Sequence, residues 1–276
     1  MTRYSLKLHV RVVGSAMALV CLSVLGGSIA LNGEAQGTQH SRHKAAPAKP
    51  APEVLAATPF HVGEVLAYRA VWSKYAVSAG NLKLSVLERR DFFGRPAWHF
   101  QAVAHSMDTM RLLYALDDQF DSYTDAVRLT SLQYEMYLSE QGKQQKGTWR
   151  MSSAGDPPAS PNVSTATVPA GTCDPIGLLY ALRAADWKRT AVFHAPVFDG
   201  HNLYDVTAQV DQPSGQVTVP AGQFTATSIR VRVFEHGDEL TSTQFTVWLA
   251  QDAARTPVLI EAEIPFGTAR IELTQM

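Results

Sequence analysis

Cysteine is almost missing from this 276-residue chain, which has only Cys21 and Cys173. A paired Cys-x-x-Cys zinc or redox site is therefore excluded. A surplus of charge is missing too, since 24 Lys and Arg stand against 25 Asp and Glu. Without a basic excess there is no face to displace the counterions around nucleic acid, and no polybasic membrane patch. The catalytic signatures that spacing alone reveals are also absent. There is no Gly-x-Ser-x-Gly elbow, no phosphate-cradling loop and no His-Glu-x-x-His motif. What is present is apolar: 46% of the residues are hydrophobic and 18% charged, the balance of a chain that builds a packed core.

The apolar content is unevenly spread. Residues 1–11 carry Arg3, Lys7 and Arg11 and no acid, and Val12 to Leu31 carry no charge. A basic start, an apolar run and small residues after it make a secretory signal over residues 1–35. Small side chains at Gly33 and Ala35, or at Ser28 and Ala30, suit a cleavage site. The other reading is an uncleaved anchor, since about 20 apolar residues can cross a bilayer. Gly14, Gly26 and Gly27 weaken such a helix and favour cleavage. Cys21 follows Val20 in mid-run, the wrong place for a lipidated cysteine. Removal of residues 1–35 leaves Cys173 as the sole cysteine, and with it no intramolecular disulfide. The expected location is the periplasm, or the inner membrane if the leader is retained.

Residues 36–59 are rich in Ala, Pro and small polar residues, an extended linker whose His40 and His43 read as solvated spacer. From Phe60 to the C-terminus the pattern changes to period-two alternation, which predicts a single β-rich domain over 60–276. Leu82, Leu84 and Val86 share one strand face, as do Tyr134, Met136 and Leu138. Further strands are predicted at 97–104, 203–210, 224–234, 243–249, 258–264 and 269–273. Short turns between them, Phe93-Gly94, Gln141-Gly142 and His236-Gly237, predict antiparallel hairpins. The template yields about eleven or twelve strands. Residues 153–171 read as a long surface loop. One helix is predicted from Asp174, an N-cap acid, and Pro175 at the first helical position, with Ile176, Leu179 and Leu182 as its apolar stripe. The fold class is thus mainly β: a large antiparallel curved sheet or open half-barrel, a meander with one short central helix.

Asp117 and Asp118 are a candidate acid pair, but neighbours on a strand point to opposite faces and cannot share a substrate. Cys173 stands before the helix N-terminus, where the dipole could activate a thiol, with His99, His105, His194, His201 and His236 as unspaced partners. Arg183, Asp252 and Arg255 fit a structural ion pair better than an anion site. Asp174, Pro175, Arg183 and Asp252 are accordingly read as structural. No catalytic, metal or cofactor site is predicted. The aromatics remain: Trp72, Tyr134, Trp149 and Trp248 are expected to line an apolar groove on the concave face of the sheet.

Three blocks of residues carry a family resemblance. They are Phe60-x-Val62-Gly63-Glu64-x-Leu66-x-Tyr68 with Ala79-Gly80; Asp174-Pro175 with Leu179-Tyr180-x-Leu182-Arg183; and Val247-Trp248-Leu249, Asp252, Arg255-x-Pro257-Val258, Gly267 and Leu273. In order and spacing these resemble the DUF3108 family of exported bacterial proteins of unknown function. The resemblance implies a periplasmic β-rich protein of a Gram-negative bacterium and lends no catalytic residues. The predicted shape is similar to the half-barrels of lipoprotein carriers, an analogy of fold alone. The functional expectation is a non-enzymatic domain binding a lipid, an acyl chain or another apolar or amphipathic ligand in a sheet-lined groove. The alternative is a structural or protein-interaction module whose partner is another envelope protein. A hydrolase built on Cys173 or a carboxylate is the third reading.

Overall fold

The computed structural model describes residues 58–72, 77–152, 163–240, 245–264 and 267–276. The predicted leader at 1–35 and nearly all of the linker lie outside them. Among the described residues no helix is long and apolar enough to cross a membrane.

The two β halves form one sheet of fourteen strands. They are β1 (Val65–Trp72), β2 (Val77–Phe92), β3 (Arg95–Ser106), β4 (Asp117–Asp125), β5 (Ser131–Glu140), β6 (Lys143–Ser152), β7 (Ser164–Thr167), β8 (Phe193–Phe198), β9 (Leu203–Val219), β10 (Gly222–Glu235), β11 (Asp238–Glu239), β12 (Phe245–Ala250), β13 (Pro257–Ile264) and β14 (Gly267–Gln275). Their spatial order is β7-β6-β5-β4-β3-β2-β1-β14-β13-β12-β10-β9-β8, with β11 beside β10. Every pairing is antiparallel except β6 with β7. The ten-residue helix, Pro175–Ala184, is α2, and a single helical turn at Asp108–Arg111 is α1.

Local chemistry explains the hairpins. Phe93-Gly94, Gln141-Gly142 and His236-Gly237 all have positive φ at both residues, the geometry whose twist matches that of the flanking strands. The sheet face follows the alternation: Leu82, Leu84 and Val86 are buried, and Trp98, Phe100, Ala102 and Ala104 continue the same face across β3. After Val86 the register shifts, so Leu87 is the extra residue of a β-bulge and faces solvent. Part of the predicted loop at 153–171 is in fact strand β7, which the small residues Ser164-Thr165-Ala166-Thr167 build against β6.

The sheet curls, yet its outer strands β7 and β8 are not paired with each other. A short stretch of backbone joins the two sides instead. Ser131 N–H donates to the Thr172 carbonyl at 2.9 Å, while Cys173 N–H donates to Pro196 O and Phe198 N–H to Cys173 O, each at 2.9 Å. Residues 172–173 thereby clasp the start of β5 to β8.

The helix lies inside one end of this curl. It is buried on nearly all sides, from Ile176 to Ala184. Its neighbours are Phe100 near the start of β3, Ser122 and Thr124 at the end of β4, Ser131 at the start of β5, Glu64 before β1 and the turn between β12 and β13. All belong to the same end of the sheet. Gly177 is demanded by that proximity, because a Cβ there would meet Ser131 Oγ at 2.7 Å. The Tyr180 ring stacks on Phe100 at 3.7 Å, with Phe60 edge-on at 5.0 Å.

Arg183 pins the helix. Fully buried, its guanidinium makes a two-pronged bond to Glu64, Nη1 to Oε1 at 2.7 Å and Nη2 to Oε2 at 3.0 Å, and donates to Ala254 O. The expected partner Asp252 is exposed in the turn instead, which leaves Glu64 as the counter-charge. Removing one partner of such a pair strands a buried charge. Glu64→Ala is therefore expected to lower stability by about 3–5 kcal/mol in urea unfolding. Arg189→Ala, which breaks only the exposed pair with Asp186, should leave the midpoint unchanged.

Candidate functional site

The two ends of the curled sheet differ in chemistry. At the helix end the charged groups of Asp174, Arg183 and Arg255 have structural tasks. Asp174 is fully buried; its Oδ1 accepts from Gly177 N at 2.8 Å, its Oδ2 accepts from Ser122 Oγ at 2.5 Å, and its own N–H donates to Ser131 Oγ at 2.7 Å. Burial pushes its carboxyl upward against these hydrogen bonds, which pull it down. At the far end of the helix Arg255 Nη1 reaches the carbonyls of Arg183, Ala184 and Ala185, the last at 2.6 Å, satisfying the orphan acceptors of a helix C-terminus. Arg255 is a cap, not an anion site.

Cys173 is buried in the clasp, its Sγ 3.4 Å from Leu129 O. Burial, and secondarily the Asp174 carboxylate, drive the thiol far above its ordinary range. The helix N-terminus does not activate it, because Asp174 occupies that position. The histidines have neighbours of their own: His99 with Asp121 at 2.8 Å, His105 with Asp117 at 2.9 Å, His194 with Asp205 at 3.9 Å, and His201 against Trp149. A nucleophilic Cys–His arrangement is thus not what this residue serves.

The four aromatics expected in one groove are placed apart. Tyr134 and Trp149 stack across β5 and β6 with centroids 6.1 Å apart, and Trp149 meets Phe198 edge-on across the seam between the two sides of the sheet. A Cβ on Gly147 would fall 1.9 Å from the Trp149 ring, so that glycine makes room for it. These two rings fill the seam. Trp248 alternates with buried Val247 and Leu249, hence lies on the convex face, and donates to Glu261 Oε2 at 3.0 Å. Trp72 ends β1 on the face of Tyr68 and Ala70, at the end opposite the helix.

Apolar side chains reach solvent at both ends, singly at the helix end (Val62, Val65, Phe93, Val127 and Val192) and within one connection at the opposite end. The connection from Met107 to Leu116 turns Met110, Tyr114 and Leu116 inward and leaves Met107, Leu112 and Leu113 exposed, Leu112 at 88%. Val77, the cross-strand partner of Trp72, is exposed beside them, and Met107 N–H donates to Ala79 O. Asp117 and Asp118 open β4 here with opposite orientations, as the strand rule requires. Asp117 faces out to Arg111, with two contacts of 2.7 Å. Asp118 faces in, opposite Ala104, and is 1% exposed. The sequence reading missed this lip, although four apolar residues in Met107-x-x-Met110-Arg111-Leu112-Leu113 at a strand end were a visible signal.

The burial of Cys173 is checkable. With Cys21 replaced by serine, a thiol reagent should label the native chain negligibly and one thiol per chain in denaturant; rapid native labelling near neutral pH would contradict the buried clasp.

No match was found among curated proteins. Three solved structures are similar at low identity. A β-barrel-like protein of domain family DUF1849 from Brucella abortus aligns with a TM-score of 0.46 and 13% identity, covering 76% of this chain and 94% of its own. A lipoprotein candidate from Parabacteroides distasonis gives 0.39 and 10%, covering 81% and 99%. A candidate exported protein with a YmcC-like fold from Bacteroides fragilis gives 0.35 and 9%, covering 80% and 98%. At such scores the architecture rests on the strand pairing above and not on these likenesses. The model for "Protein of unknown function (DUF3108)" matches residues 67–274, and the chain belongs to the DUF3108 family.

Proposed function

We propose that this is an exported, non-enzymatic protein of the cell envelope that binds an amphipathic ligand, a lipid or acyl chain, at the end of the curled sheet opposite the helix. One observation carries the reading: Met107, Leu112, Leu113 and Val77 are exposed together at that end, where Trp72 faces the concave side. Large apolar side chains held in water mark a surface that something covers. The helix closes the other end, so a chain entering between the strands would cross the lip formed by Met107, Leu112 and Leu113. Export rests on the leader read from residues 1–35.

Purification from the periplasm without detergent, solvent extraction and mass spectrometry test the proposal. A lipid near one per chain is expected, falling at least severalfold in Leu112→Asp/Leu113→Asp with the fold intact. An empty extract from the folded wild-type protein would overturn it and leave the lip as a protein-docking surface of an envelope module.

A further inference from the structure

The Met107–Leu116 connection is held at its base by two adjacent aspartates on opposite faces of the sheet. On the outside, Asp117 bonds both Nη atoms of Arg111 and receives His105 Nδ1 at 2.9 Å. On the inside, Asp118 Oδ1 accepts from Ser139 N at 2.9 Å, and its Oδ2 is fully buried with no hydrogen-bond partner, in the field of the half-buried Glu140 carboxyl. Glu140 in turn accepts from Tyr114 Oη at 2.6 Å. The same connection is tied to the β5–β6 turn by Gln141 N to Ala115 O at 2.8 Å and Gln141 Nε2 to Leu113 O at 3.0 Å.

A buried carboxyl oxygen without a hydrogen-bond donor resists ionisation, and a neighbouring carboxylate adds repulsion. We propose that residues 107–116 form a lid over the end opposite the helix, latched by the Tyr114–Glu140 hydrogen bond and released when the neighbouring buried Asp118 carboxyl ionises and draws in water. This goes beyond the ligand reading, because the latch is a property of the protein alone.

The surrounding charges favour release on the inner side only. Asp118 is faced by Glu140 and Tyr134 from β5 and by Asp117 from its own strand, all anionic or neutral. Lys143 of β6 stands opposite Glu140 in register and is exposed, and Arg111 and His105 are engaged by Asp117. Burial first, then Glu140 and Asp117, raise the Asp118 carboxyl to about 7 despite the Ser139 hydrogen bond. The Arg111 hydrogen bonds hold Asp117 down at about 2, so the outer clamp persists throughout and serves as the hinge. In the open state water reaches Asp118 and its carboxyl returns to the ordinary range near 4. The closed lid therefore binds one more proton than the open one between about pH 4 and 7, and opening becomes easier as pH rises across that window, levelling off above it.

Hydrogen–deuterium exchange on the full chain tests this, each rate divided by the intrinsic rate at its pH. Protection of residues 107–116 should fall at least about tenfold from pH 5 to pH 8, while the paired centres of β3 and β4 hold theirs. Asp118→Asn, neutral at both pH values, should abolish the fall. Tyr114→Phe should give low protection at both pH values. A wild-type lid with equal protection at pH 5 and 8 would overturn the proposal. So would an Asp118→Asn lid that keeps the full wild-type fall. Should Asp118→Asn not fold, Tyr114→Phe decides alone: a fall as large as in wild type would sink the latch.

Discussion

A single ten-residue helix strung across one end of the curled sheet governs this structure. A fourteen-stranded sheet left open would present the unpaired edges of β7 and β8 and an uncovered concave face. The helix resolves both problems at once. Asp174 ties its N-terminus to β4 and β5, and the residues just before it clasp β5 to β8. Arg255 ties its C-terminus to the β12–β13 turn, and the buried Arg183–Glu64 pair fixes its last turn to the chain entering β1. Elements from the start, middle and end of the sequence are thus gathered at one place. Each of these bonds also removes a polar group from an apolar interior that could not otherwise hold it.

The asymmetry between the two ends follows. With polar anchors and aromatic packing concentrated around the helix, the Met107–Leu116 connection stands out among the described residues of the other end. A cover made of one helical turn and an apolar loop has few backbone bonds to hold it, and local opening free energies are lowest in such segments. That weak end is where the exposed leucines lie, and where an amphipathic chain would meet the interior. Stability at one end and access at the other are in this sense one design, set by where the only sizeable helix among the described residues docks.

Much of the fold was legible because local rules sufficed. Leu82, Leu84 and Val86 announced their face by spacing, the three x-Gly turns announced their hairpins, and Asp174-Pro175 announced a helix start. Strands β4 and β6 were harder, since Asp117-Asp118-Gln119 and Lys143-Gln144-Gln145-Lys146 are too polar to alternate visibly. The ion pair eluded the reading for a different reason. Glu64 and Arg183 are 119 residues apart, and nothing local distinguishes Glu64 from Asp252 as the counter-charge. Yet the three blocks behind the family resemblance meet at this node: Glu64 with Arg183, Phe60 with Tyr180, Arg255 with the helix end, and Tyr68 Oη with Pro257 O at 2.9 Å. The aromatic groove was illegible because strand parity assigns faces only once partners are known. Trp248 falls on the convex side and Trp149 into the seam, leaving Trp72 alone at the open end.

The most direct measurement is fluorescence quenching by an amphiphile with a brominated acyl chain, using two chains that each retain one tryptophan. One keeps Trp72, on the concave face at the end opposite the helix; the other keeps Trp248, on the convex face. Saturable quenching of Trp72 without quenching of Trp248 is the predicted result. Equal quenching of both, or of Trp248 alone, would contradict entry of the ligand at the open end.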